Sequence, residues 1–115
     1  MKKLLATLLL FATTTWADTL TLIVPHPPGG SPDVYARLVA KHLSSQLGRD
    51  VVVMNKPAAA GRIAVEQAAH TTSGDELLLA STGPFLFNKV IYRNLNTDFD
   101  YFDVVAPVAR IPATF

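Results

Sequence analysis

Residues 20–33, LTLIVPHPPGGSPD, run from an unbroken apolar stretch into nine residues that hold four prolines and two glycines. The run Leu20-Thr21-Leu22-Ile23-Val24, preceded by Thr19, is rich in β-branched and apolar side chains and predicts a buried strand. Proline then fixes φ and removes an N–H donor, while glycine opens positive φ and lets other atoms approach the backbone. From Pro32 onward the pattern turns helical. The stretch therefore reads as a strand, a stiffened and partly bare loop, and the start of a helix.

Working outward, residues 32–47 carry Val34, Leu38, Val39, His42, Leu43 and Leu47 at helical spacing, with His42 as a half-buried packing residue. Ser31 suits the N-cap, Pro32 the first helical position and Gly48 the position after the helix. Val51-Val52-Val53-Met54 shows no polar alternation, as for a parallel strand covered on both faces. A loop over residues 55–61 leads to a second helix over 62–70, through Ile63, Val65 and Ala69. Ser73-Gly74-Asp75 makes a turn before a third strand over 77–80. A short helix is predicted around 85–92, and a further strand over 104–111, at an edge or crossing because of Pro107. Strand–helix–strand–helix–strand with short connections is the order of an open α/β parallel sheet. In such sheets ligands sit beyond the carboxyl ends of the strands, where the strand order reverses.

The 115 residues allow one domain at most. Met1-Lys2-Lys3, the apolar run to Ala12 and the small residue Ala17 predict a secretory signal peptide over 1–17, cleaved before Asp18. Beyond it, 8 basic and 9 acidic residues leave a net charge of −1 and no basic cluster, which argues against nucleic acid or an acidic membrane surface as partner. The sequence has no cysteine, so an exported chain relies on its core without disulfides.

Two loops fall at the predicted carboxyl edge. The first offers backbone N–H groups at Gly29, Gly30 and Ser31, the Ser31 hydroxyl and the positive end of a helix dipole, a combination that favours a carboxylate. Asp33, in the first turn, complements that dipole but repels an anion if it faces one. The second offers the Ser81 and Thr82 hydroxyls, the Gly83 N–H and the Asn88 amide. Taken alone, both loops also serve as ordinary capped or polar turns. Neither a Walker motif nor a GxGxxG fingerprint is present, so nucleotide is disfavoured, and no cofactor is indicated. His26, His42 and His70 lack metal-ligand spacing, and Asp98, Asp100 and Asp103 read as a solvated loop. With no GxSxG, no cysteine nucleophile and no paired carboxylates at the loops, the sequence does not read as an enzyme.

Three motifs taken together, P-P-G-G-S-x-D opening the first helix, V-V-V-x-N-K-P before a small-residue loop ending in glycine, and S-T-G after the third strand, resemble the tripartite tricarboxylate transporter solute receptors, the Bug family. The resemblance runs in order from about Leu20 to Ile111. It implies one lobe of a two-lobed, type II periplasmic-binding-protein-like fold, with residues 18–115 a partial first lobe cut after its opening βαβαβ. It also implies a non-enzymatic periplasmic receptor for small organic carboxylates, monomeric at full length and serving the membrane components of a tripartite transporter. Carried over by position, Pro28, Gly29, Gly30, Ser31 and Asp33 grip the ligand from the first loop, and Ser81, Thr82, Gly83 and Asn88 from the second. The sequence departs from the family pattern at Pro32, where threonine or another donor is common, and in its length, much shorter than family members. It departs again at Arg62, where asparagine is usual, and Arg62 is a possible direct partner for an acidic ligand. Two alternatives stand beside this reading, a truncated product without binding activity and a ligand-sensing receptor for a signalling partner.

Overall fold

The computed structural model describes residues 18–92 and 99–110. The leader predicted over 1–17, Asp98 and Ile111 lie outside the described residues. Strand β1 (Thr19–Val24) leads through the proline–glycine loop to helix α1 (Ser31–Leu47), and strand β2 (Asp50–Asn55) follows. A 3₁₀ turn at Ala58–Gly61 enters helix α2 (Arg62–His70), then strand β3 (Glu76–Leu78). A π-turn at Gly83–Phe87 runs into the short helix α3 (Asn88–Ile91).

The described sheet is parallel throughout, in the order β2-β1-β3, with Thr19 opposite Asp50 and Thr21 opposite Glu76. β1 is the central strand, which explains why its apolar run is the longest. The chain crosses from β1 to β2 by α1 and from β2 past β1 to β3 by α2. Right-handed crossovers in opposite directions place the two helices on opposite faces. On one face Leu22 and Val24 pack against Ala36 and Ala40 of α1, joined by Val39, Val51, Val53, Leu77 and Leu79. The intervening residue Ile23 points the other way, fully buried, on the side where α2 packs with Ala64 and Val65. At the amino ends of the strands, Arg49 bridges Asp18 at 3.3 Å and Asp75 at 2.6 Å.

β1 and α2 fall where the sequence places them, and the helical segment after Thr82 is present. Other expectations need correction. Ser31 is the first residue of α1 rather than its N-cap. The cap is Gly30, extended at φ −78° and ψ 168°, whose carbonyl accepts the Val34 N–H at 3.1 Å. The buried face of α1 is Asp33, Ala36 and Ala40, while Val34, Leu38, His42 and Leu47 lie toward solvent. Alanines let the helix lie close to the sheet, and that contact outweighs the larger side chains a quarter turn away. Ile63 on α2 is likewise exposed. β2 alternates, with Val52 and Met54 open to solvent, because it is the edge strand here and α2 covers β1 and β3 instead.

β3 begins at Glu76, one residue earlier than predicted, and ends early because the Ala80 N–H turns back to the Leu78 carbonyl at 3.1 Å. No strand forms over 102–110. Val104 is 91% exposed and Pro107 withholds a ladder donor, so the apolar segment finds no strand partner among the described residues.

Candidate functional site

All three strands are parallel, so the loops after them emerge at one edge, with the order reversing at β1. Pro25 after β1, Gly61 after β2 and Pro84 after β3 meet there, all buried. Gly61 has φ +80°, and a β-carbon on it would stand 2.6 Å from the Pro25 carbonyl oxygen and 2.8 Å from the Pro84 Cβ. Ala59 and Ala60 also adopt left-handed conformations, at φ 51° and 56°. Left-handed alanine is strained, and the turn is held by the Gly61 N–H on the Pro57 carbonyl and by the Asn88 amide, which donates to the Ala60 carbonyl at 3.1 Å.

The first loop is organised by Asp33. This residue is 3% exposed, and its carboxylate accepts from the Gly29 N–H at 2.9 Å, the Arg37 Nε at 3.0 Å and the Asn55 Nδ2 at 2.9 Å. The acidic residue of the first turn thus reaches one residue past the Gly30 cap, and this ties the loop to the helix start. Asn55 also donates to the His26 carbonyl at 3.1 Å, so the end of β2 holds the loop after β1. His26 in turn places its Nε2 2.7 Å from the Ser81 Oγ, joining the first loop to the third.

This arrangement sorts the residues singled out in the sequence. Pro28, Gly29, Gly30 and Ser31 lie exposed along the first loop, and the His26–Ser81 bond ties the start of that loop to the loop of Ser81, Thr82 and Gly83. The Gly29 N–H is already given to Asp33, so the loop donors left just before the first turn are those of Gly30 and Ser31, with the Asp33 N–H following in the turn. Asp33 has both carboxylate oxygens engaged within the chain and therefore positions the loop. Asn88 is buried and braces the left-handed turn rather than presenting its Nδ2 to the opening. Arg62 pairs with Glu66 at 3.5 Å and lies over the Tyr92 ring. Sequence reasoning misses His26 and Asn55 as site residues. The signal for both is position, since each stands at the carboxyl end of a predicted strand.

The Arg37 guanidinium, then the Gly29 N–H and the Asn55 amide, hold the Asp33 carboxyl at about 2 against an ordinary value of 3.8, outweighing burial, which pushes it up. A carboxyl more acidic in the folded state stabilises the fold fully above its ordinary value. That contribution fades as pH falls from 3.8 through about 2. Thermal unfolding followed down this range should show Asp33→Asn less stable than the native chain near neutrality, with the gap closing in acid. A gap that stays constant with pH would contradict this role.

Residues 35–115 match the model of the tripartite tricarboxylate transporter family receptor. The chain is 35% identical over 111 residues to a UPF0065 protein of Bordetella pertussis, covering 91% of this chain and 34% of that protein. It is 40% identical over 94 residues to the protein BugT of the same organism, covering 71% of this chain and 29% of BugT. It thus spans about a third of the length of the curated relatives it matches. A solved structure described as that of a periplasmic transporter superposes with a TM-score of 0.65 at 36% identity, covering 70% of this chain and 27% of the other. With motifs, sheet order and loop placement in accord, the chain belongs to the tripartite tricarboxylate transporter receptor family, the group that includes the Bug proteins.

Proposed function

We propose that this chain is the amino-terminal part of a periplasmic receptor that binds small organic carboxylates and delivers them to the membrane components of a tripartite transporter. Residues 1–17 serve as its cleaved export signal. The observation that supports the reading is the tie between the first and third loops at the carboxyl edge of the sheet, with His26 bonded to Ser81 at 2.7 Å. There the N–H groups of Gly30 and Ser31 and the hydroxyls of Ser31, Ser81 and Thr82 lie at the carboxyl edge of a parallel sheet. Arg37 is occupied by Asp33, so the donors offered to the anion are those of the loops, aided by the helix dipole. The reading assigns no catalysis: His26 meets Ser81 as a base meets a nucleophile, but among the described residues no acid orients the other ring nitrogen.

One lobe offers one wall. A carboxylate there stays hydrated on its far side, and each hydrogen bond exchanged with water nets only about 0.5–1.5 kcal/mol. A few such bonds must offset the lost translational and rotational freedom. The purified chain should therefore bind succinate, citrate or glutamate no more tightly than roughly millimolar, about −4 kcal/mol. NMR titration checks this through shifts confined to residues 26–31 and 81–83. Shifts elsewhere, or none, would remove the carboxylate reading. Micromolar binding would show that one lobe is a sufficient receptor.

A further inference from the structure

His26 is held from two sides. Asn55 at the end of β2 fixes its carbonyl, and Ser81 after β3 fixes its ring. The ring is half-buried, and among the described residues its Nδ1 makes no hydrogen bond. The charged groups on the surrounding elements are engaged elsewhere. Asp33 and Arg37 of α1 pair with each other, Lys56 after β2 turns to Gln67, and Arg62 and Glu66 of α2 pair with each other. Residues 79–88 carry no ionisable group. His26 is therefore the titratable side chain bonded directly to a hydroxyl of the proposed site.

The chemistry of that bond depends on where the proton lies. A hydroxyl has one proton. If Nε2 is bare, it takes the Ser81 proton, and Oγ turns only lone pairs outward, which repels an anion. If Nε2 carries a proton, it donates to Oγ and frees the Ser81 O–H to donate outward. In the imidazolium Nε2 carries its proton and the Ser81 O–H stays free to donate, Nδ1–H becomes a further donor, and the ring adds a positive charge.

We propose that His26 is a ligand-contacting residue, that it and Ser81 act as one donor couple for the carboxylate, and that the anion is taken up together with a proton on the imidazole. The proposal rests on the carboxylate reading of this site. Binding tightens as pH falls through the range where histidine titrates, because the anion selects the imidazolium.

The test is a pH titration of the imidazole Hε1 resonances of the full chain, with and without succinate at roughly 50 mM, well above a millimolar Kd. His42 and His70, outside the site, are internal controls. The His26 midpoint should rise by about one unit with succinate, the linkage equivalent of about tenfold tighter binding to the protonated form. The controls should stay in place. His26→Gln, which keeps a side-chain donor but cannot titrate, should bind about tenfold more weakly near pH 5 and lose the pH dependence. His26→Phe should do the same. Succinate binding with an unmoved His26 midpoint, or equal movement of all three histidines, overturns the role of His26 and leaves the carboxylate reading standing. No binding of succinate, citrate or glutamate by the native chain overturns both.

Discussion

Gly61→Ala should cost about 3 kcal/mol of stability or more, the largest single effect expected in this chain. Two penalties add. A left-handed alanine costs roughly 1–2 kcal/mol in the backbone alone, and two such residues, Ala59 and Ala60, already precede it. The new methyl then meets the Pro25 carbonyl oxygen at 2.6 Å and the β-carbons of Pro25 and Pro84 at 2.7 and 2.8 Å. Neither proline has a flexible end that can move aside, so the loops after β1 and β3 must separate. That separation strains the His26–Ser81 bond and withdraws the Ala60 carbonyl from Asn88. Chemical denaturation measures the loss, and the amide signals of residues 26, 81 and 88 should shift together. A variant with unchanged stability would mean that the three loops are not packed as described.

Gly30→Val should do the opposite, leaving the fold intact and removing carboxylate binding. Gly30 sits at φ −78°, an ordinary extended conformation. A β-carbon there meets only the Pro32 Cδ at 3.7 Å and the Pro27 carbonyl at 3.8 Å, normal packing distances. Glycine here suits the N-cap of α1, where valine is poor, so the substitution carries a cap cost of about 1 kcal/mol; on the proposed reading its bareness also lets the ligand approach. A branched side chain blocks an anion from the Gly30 and Ser31 N–H groups. With each hydrogen bond to a charged group worth about 1.5–3 kcal/mol, losing two lowers affinity by roughly a hundredfold or more, below detection for a millimolar ligand. Calorimetry or NMR titration alongside a thermal melt separates the two effects. Undiminished binding by a folded Gly30→Val chain would reduce the loop to a turn.

Much of the site is legible in sequence because its supports are local. The proline–glycine loop, the start of α1 and the S-T-G turn are short segments whose backbone preferences do not depend on distant contacts. Partner choice is what sequence reasoning misses. Asp33 reads in the sequence as an acid of the first helical turn that complements the dipole and, by the family resemblance, grips the ligand. Its burial comes from Asn55, 22 residues later, and from Arg37 one turn on. Asn88 looks like a free amide near a turn until the left-handed alanines place the Ala60 carbonyl within its reach. The apolar face of α1 is misassigned for a related reason. Counting large side chains favours Val34 and Leu38, whereas the sheet selects Ala36 and Ala40 because small residues allow closer packing.

The amino-acid sequence by itself determined the order of elements, the bounds of β1 and α2, the end of α1 at Gly48 and the position of the loops at one edge of a parallel sheet. These follow from hydrophobic periodicity and from proline and glycine stereochemistry, which act within a few residues. Only the tertiary structure decided which face of α1 is buried, that β2 is an edge strand with Val52 and Met54 uncovered, and that residues 102–110 make no strand. It alone decided that Asp33, Asn55, His26 and Ser81 form one chain of hydrogen bonds across three strand ends. A hydrogen bond or a buried face needs two partners, and residues 22 to 55 positions apart become partners only when the sheet has set their distance.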